Sequence, residues 1–422
     1  MYVYDPDGSQ ALEKLGRHEG RHSMPPSMPS RRNILTAAGA FLGAASSGPF
    51  LPSTGLAAAG ALRIGLMLPF SGTFAQIGNN VANGFRLALL EQDLKLGGRN
   101  FEVITLDDDA DPAKAVENAS KLVIRDKVDI LVGTVHSGVQ MGVQKVARET
   151  GVLNIIPNAG LHAATRGLCA PNIFRSSFAN SQASRPLGAV MMARGHKTAV
   201  WITWKYAAGD ESYEGFEEGY AKSGGTIVKS LGIPFPAVEF QAFLTQIAAL
   251  KPDAVAAYFA GGGAVKFLKD YAAAGLKGKI PLYGPGFLTD GVLDAVEGDA
   301  EGVITTLYYG DGLDLPRNHQ FRASYVKTYG SQPDVYSVNG YDAGLLLIEA
   351  ANAVKGELSD KPAVIKALEN AVIDSPRGKW TMSKAHNPIM DIYLRQVEGN
   401  QNKVIGYAAR AVEDSGVGCK MR

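Results

Sequence analysis

Cysteine is nearly absent: Cys169 and Cys419 are the only two among 422 residues, so at most one disulfide can form within the chain. An excess of charge is also missing. The formal net charge is +1, which argues against a nucleic-acid or polyanion binder with a basic face. Beyond residue 59 no run approaches 18 consecutive apolar residues, so the mature chain is expected to have no membrane-spanning helix. Catalytic fingerprints are scarce too: there is no G-x-S-x-G, no P-loop and no G-x-G-x-x-G after a strand. What the chain does have is apolar material, 46% of its residues, enough for two cores. Its 49 glycines suit many tight strand-to-helix turns.

The N-terminal segment reads as an address. Ser30-Arg31-Arg32-Asn33-Ile34-Leu35 puts a paired arginine before a weakly apolar, small-residue stretch that ends at Ala57-Ala58-Ala59. That order is a twin-arginine export signal with an A-x-A cleavage site, so the mature chain is expected to start near Gly60. The run from Thr36 to Phe50 is too short and too rich in Ala and Gly to span a membrane, and no Cys follows it to carry a lipid. Met1 to Ser27 has no apolar period. It reads as a disordered extension or as sequence ahead of a true start at Met24 or Met28. In an oxidising compartment Cys169 and Cys419 are expected to bond, tying the tail to the first half of the chain. The alternative is two buried thiols. In the loop-entropy model so long a loop contributes upwards of ~4 kcal/mol.

From Leu62 onward, short apolar runs alternate with amphipathic stretches, the pattern of a parallel α/β sheet. Strands are expected at Leu62–Leu68, around Phe101–Thr105, at Ile130–Val132 and at Val152–Ile156. Helices are expected over Val81–Gln92, after the Asp111-Pro112 cap, and over Val139–Ala147. A second series follows Phe174, with strands at Ala199–Thr203, Thr226–Ser230, Ala254–Phe259, Ile280–Tyr283 and Val303–Leu307. Its helices are Tyr213–Lys222, Phe240–Leu250 and Ala264–Ala274. Later helical patterns over Asn318–Tyr329 and Ser337–Val354 are expected to return the chain to the first lobe. Two such series predict two lobes, and ligands of parallel sheets bind beyond the carboxyl ends of the strands. A cleft between lobes gathers those ends from both sides.

Two turns at neighbouring strand ends stand out: Gly133-Thr134-Val135-His136-Ser137-Gly138 and Pro157-Asn158-Ala159-Gly160-Leu161-His162. Small polar residues at a helix N-terminus leave backbone N–H groups free for a carboxylate or phosphate; the plainer reading is N-capping by Ser137. Asp107, Asp109 and Asp111 imitate the start of a calcium loop, but Pro112 and Asn118 stand where Gly and Glu are required, so that reading fails. No cofactor or metal is expected. Gly261-Gly262-Gly263 before a helix is weak evidence for a nucleotide.

These turns occur in a longer ordered set. Ile64-Gly65-Leu66-Met67-Leu68-Pro69-Phe70-Ser71-Gly72, then Asp107-Asp108-Asp109-Ala110-Asp111-Pro112, Val132-Gly133 with His136-Ser137, and Ile156-Pro157-Asn158-Ala159 come first. Phe174-Arg175-Ser176, Tyr206 with Gly209, Gly284-Pro285-Gly286-Phe287 and Gly340-Tyr341-Asp342-Ala343 follow. The set resembles the leucine/isoleucine/valine-binding protein family, the type I periplasmic binding proteins that deliver solutes to ABC importers. The resemblance covers nearly the whole mature chain. It implies an α/β fold of two Rossmann-like parallel-sheet lobes joined by a three-segment hinge near Ser176–Asn180, Leu307–Gly310 and Ile373–Pro376. Lobe 1 would comprise residues 60–176 and 310–373, lobe 2 residues 177–309 and 374–410, and the tail residues 411–422. The resemblance implies a monomeric periplasmic protein that binds a small molecule, closes on it and docks on a membrane permease. The rivals are a branched-chain amino acid or aliphatic acid/amide binder, a ligand sensor without transport, and an exported α/β hydrolase or dehydrogenase.

The family's ligand positions carry over one by one. Ser137 and the backbone near His136 would hold a ligand carboxylate, helped by Asn158, Ala159 and Gly160. Ile77 stands where an aromatic residue often covers the ligand. Tyr206 matches the cleft tyrosine, and Gly261 and Gly286 fall at two further contact positions. Gly286 replaces the Glu that pairs an amino-acid ammonium, and Gly160 replaces a hydroxyl residue of the head-group site. A buried ammonium without a partner costs several kcal/mol; Asp290 is an alternative partner, offset from the motif. Branched-chain amino acids are therefore disfavoured. Gly261 and Gly286 would make room, while Phe74, Phe287, Tyr206 and Phe178 would offer π-faces. The pattern is similar to the subgroup that binds benzoates and hydroxybenzoates. His136 and His162 would donate to the ligand or serve as structural histidines.

Overall fold

The computed structural model describes residues 60–93 and 95–421; the export segment lies outside the described residues. Strands β1 (Leu62–Leu68), β2 (Lys95–Leu96), β3 (Arg99–Asp107), β4 (Ile130–Gly133), β5 (Leu153–Ile156) and β6 (Ile173–Arg175) build the first sheet. Its order is β2-β3-β1-β4-β5-β6. All neighbours are parallel except β2, which pairs antiparallel with β3 at the edge. Strands β4 to β6 are buried along their whole length. Helices cover both faces of such a sheet, which is why these strands read as apolar runs, broken at Asn154 and Arg175.

The second sheet contains β7 (Thr198–Lys205), β8 (Thr226–Pro234), β9 (Ala254–Tyr258), β10 (Leu282–Pro285) and β11 (Ile304–Leu307), all parallel. The late strands β12 (Val372–Ile373), β13 (Trp380–Met382), β14 (Pro388–Glu398) and β15 (Gln401–Val412) add antiparallel to it. The order is β12-β13-β14-β11-β10-β9-β7-β8, with β15 on the free side of β14. Strand β15 is absent from the sequence reading. Its residues alternate between covered and exposed and are interrupted by Gly406, so no apolar run marks them. It carries the strand past residue 410, where the tail was expected to begin.

Helices start earlier than their apolar periods. Helix Ala75–Leu90 begins well before Val81, directly after a 3-10 turn at Gly72–Phe74. Helix Asn180–Ala193 was not expected. Its first turns are polar and Pro186 lies inside it, yet Asn180, Ser181, Gln182 and Ser184 are all buried. Helix Val335–Ala353, capped by Asp334 accepting from the Ser337 N–H at 2.9 Å, packs against helix Ala75–Leu90. The two backbones touch through glycines. A Cβ on Gly84 would collide with the Ser337 carbonyl, and one on Gly340 with that of Val81.

The chain passes between the sheets after Arg175, after Leu307 and again near residue 374. Arg377, 3% exposed, staples these passages. Its guanidinium donates to the carbonyls of Ser176 (2.6 Å) and Ser177 (3.0 Å). It also pairs with Asp342 at 2.8 Å and lies 4.7 Å from the Tyr308 ring centroid. At the far end of the chain Cys169 and Cys419 form a disulfide, with Cα atoms 5.6 Å apart. Beside it Arg166 pairs with Asp414 at 2.6 Å. Among the described residues no helix is long and apolar enough to cross a membrane.

Candidate functional site

The carboxyl ends of the parallel strands of both sheets meet at one cavity. Phe74 and Ile77 follow β1, Val135 and Ser137 follow β4, and Asn158 and Gly160 follow β5. From the second sheet, Tyr206 and Ala208 follow β7, Ala260 follows β9 and Phe287 follows β10. Phe178, Asn180, Tyr258 and Tyr336 complete the lining. The cavity holds about 330 Å³ of atom-free space, part of it continuous with solvent. Among the described residues, none that lines it carries a formal charge.

Hydrogen bonds shape the wall from the first sheet. Helix Ser137–Thr150 is capped by His136, whose Nδ1 accepts from the Gly138 N–H at 3.0 Å and the Val139 N–H at 3.4 Å. The cap is therefore His136 rather than Ser137, and two amides expected to be free for a ligand are taken by the imidazole. Burial lowers the His136 pKa to about 4, so the ring is neutral and able to accept. The ring stacks on Tyr206 with centroids 5.1 Å apart and supports the cavity from behind without lining it.

Arg175, fully buried at the end of β6, builds the turn after β5. It donates to the Ala159 carbonyl (3.2 Å), the Thr165 hydroxyl (3.0 Å), Asn387 Oδ1 (2.7 Å) and the Leu161 carbonyl. The Ala159 N–H donates to the Thr134 carbonyl at 2.9 Å. With both backbone groups engaged, Ala159 serves the fold and does not join the lining. Asn158 Oδ1 accepts from Asn339 at 2.9 Å. Gly160 has a steric reason: a Cβ there would fall on Asn180 Oδ1, with the Phe178 ring 2.8 Å away. The hydroxyl residue of the amino-acid binders has no space at this position.

Rings make most of the opposite wall. Phe287 lies 4.5 Å from Phe178, 6.1 Å from Tyr258 and 6.3 Å from Tyr336, centroid to centroid. Phe74 reaches across from the first sheet to Trp204 (6.2 Å) and Phe235 (5.4 Å). Gly261, with φ +55°, allows this approach, since its Cβ position is only 2.8 Å from the Thr73 carbonyl. Gly261 thus lets the backbone approach Thr73. Burial raises the phenols of Tyr206 and Tyr336 well above their usual pKa, so both are neutral donors. The Tyr336 hydroxyl is buried without a protein partner.

Gly286 also departs from expectation. The space a side chain would occupy there is filled by the guanidinium of Arg395 and by Leu307, and Arg395 donates to the Gly286 carbonyl at 3.2 Å. Arg395 in turn pairs with Asp290 at 2.8 Å, both buried. Burial pushes Asp290 up to about 7 against the pull of Arg395. This acid is engaged and does not line the cavity.

Phe74, Ile77, Ser137, Asn158, Gly160, Tyr206 and Phe287 come together as the sequence reading placed them, together with Phe178. His136, Ala159, Gly261 and Gly286 stand one layer back. His162 also lies outside the lining, its Nε2 3.0 Å from the Ser181 hydroxyl. Val135, Asn180, Ala208, Tyr258, Ala260 and Tyr336 were missed. Tyr258 and Ala260 were findable, since they end a strand. Asn180 and Tyr336 sit in the first turns of helices and carry no such signal.

Two parallel α/β sheets that turn their strand ends toward a shared cleft define a type I periplasmic binding protein. The chain belongs to this family: the model described as periplasmic binding protein matches residues 61–402. It is similar to the Leu/Ile/Val-binding protein homolog 6 of Brucella melitensis, 29% identical over 374 residues that cover 87% of this chain and 93% of that one. A solute-binding protein of an ABC transporter from R. palustris, solved in complex with benzoate, is 48% identical with TM-score 0.84. That match covers 86% of this chain and 100% of the other. Another, from Rhodopseudomonas palustris BisB5 in complex with 3,4-dihydroxybenzoic acid, is 29% identical with TM-score 0.80, covering 84% and 99%.

Proposed function

We propose that this chain is the periplasmic solute-binding component of an ABC importer and closes on a small aromatic carboxylate of the benzoate or hydroxybenzoate type. One observation carries the reading: a ring-walled cavity with no charged lining residue among those described, while Asp290, the acid offset from the family's Glu position, is tied to Arg395. An ammonium group would find no counter-ion among the lining residues, and burying it unpaired would cost several kcal/mol. Phe178, Phe287 and Tyr206 offer ring surfaces to a flat ligand, where each aromatic contact contributes ~0.5–1.5 kcal/mol beyond burial. The carboxylate sits at Ser137 beside Asn180. The benzoate complex of the 48% identical R. palustris protein supports the same choice.

The protein works as a monomer without turnover, exported by the twin-arginine route. Its lobes, residues 60–176 with 310–373 and residues 177–309 with 374–410, rotate about the passages that Arg377 staples. Thermal-shift screening of residues 60–422 against benzoates, aliphatic acids and amino acids tests the ligand class. A ligand at ~100 times its Kd adds ~2.7 kcal/mol of stability. Stabilisation by leucine and by no benzoate overturns the reading.

A further inference from the structure

Glu211 belongs to helix Ala207–Lys222 in the second lobe, and its side chain is 15% exposed. Its Oε2 accepts from the His162 N–H of the first lobe at 2.9 Å and from Asn180 Nδ2 at 2.7 Å. The same Nδ2 lies 3.3 Å from the Ser137 hydroxyl. One amide therefore separates the Glu211 carboxyl from the point where the ligand carboxylate is placed. Among the described residues Asn180 Oδ1 is buried without a partner, and it is turned toward Gly160 on the cavity wall. An acceptor in that position repels a carboxylate.

The groups around Glu211 leave it without a direct cationic partner. Arg175 and Arg166 act on it from a distance, their guanidinium groups engaged by the turn after β5 and by Asp414. His162 Nδ1 lies 3.9 Å from Glu211 Oε1 and 3.8 Å from Glu214. Burial and then Arg166 lower the His162 pKa to about 3, so the ring stays neutral near physiological pH. Tyr258, also near, is pushed up to about 12 and stays neutral as well. Burial raises Glu211 to about 7, against the hydrogen bonds from Asn180 and His162.

We propose that Glu211 is a positioning residue that acts through Asn180 and takes up a proton from solvent when the anionic ligand binds. The inference rests on the aromatic-carboxylate reading above. Two carboxylates one side chain apart at a buried site disfavour each other's charge. Ionised Glu211 holds Asn180 Nδ2 toward itself. Protonated Glu211 donates to Asn180 Oδ1 instead, and the amide turns over to offer Nδ2 to the ligand.

The bound state then holds more protons than the free state, so affinity rises as pH falls through about 7 and is lost as pH rises. The test is titration of the mature protein with benzoate and 4-hydroxybenzoate between pH 6 and pH 8, where both ligands stay ionised. Affinity at pH 6 is expected to exceed that at pH 8 by about five- to tenfold. Glu211→Gln keeps an acceptor for the His162 N–H and is expected to flatten the profile. Calorimetry at pH 7 in buffers of different ionisation heat is expected to register proton uptake by the native protein, independently of how the variant folds. A flat native profile without proton uptake overturns the inference, as does a Glu211→Gln protein that keeps the native slope. Absence of binding at every pH overturns the ligand reading itself.

Discussion

The cavity wall from the first lobe is held by hydrogen bonds, whereas the wall from the second is held by ring packing. Ser137, Asn158 and Gly160 sit on short turns fixed by His136, Arg175 and Asn339. Tyr206, Tyr258 and Phe287 are fixed by one another and by neighbouring rings. Hydrogen bonds are directional, so the first wall can place polar atoms to within tenths of an ångström. Ring packing is broader in geometry and sets the shape of the slot. On our reading the first wall anchors the ligand and the second selects its outline.

The largest expected effect comes from forcing a charge onto the second wall. Gly286→Glu places a side chain on the Arg395 guanidinium and disturbs its buried pair with Asp290. Denaturant unfolding should register a loss of about 3–5 kcal/mol, the usual range for a broken buried pair. A variant as stable as the parent that binds leucine would erase the difference between the walls. Ser137→Ala comes next. Losing a hydrogen bond to a charged group, ~1.5–3 kcal/mol, should weaken benzoate binding about ten- to hundredfold in calorimetry, with the free protein's melting temperature nearly unchanged. Tyr206→Leu should cost least: ~0.5–1.5 kcal/mol of aromatic contact, or about two- to tenfold in Kd, measured in the same way. A Tyr206→Leu effect larger than that of Ser137→Ala would reverse the assignment of anchor and selector.

The architecture was legible because buried parallel strands leave continuous apolar runs, as in Ile130-Leu131-Val132 and Ala254-Val255-Ala256. Strand β15 and helix Asn180–Ala193 escaped for the opposite reason: the first is half-covered and the second buries polar side chains at a lobe boundary. Residues at strand ends were found from the motif order, but what fills the space around them was not. Gly286 was read as the place of a missing acid, and the space there belongs to Arg395, a residue 109 positions away. Long-range packing of that kind has no local signature. His136 was weighed as a ligand donor, and its role as an acceptor for two backbone amides depends on a rotamer that sequence does not encode.

The Cys169–Cys419 bond spans 250 positions and joins the end of the second lobe's chain to the first lobe. The three backbone passages are thereby joined by a fourth, covalent strap that bypasses the hinge. It turns everything between the two cysteines into a closed ring. A protease that cuts one hinge passage therefore yields two chains that stay covalently joined until the sulfur bridge is reduced.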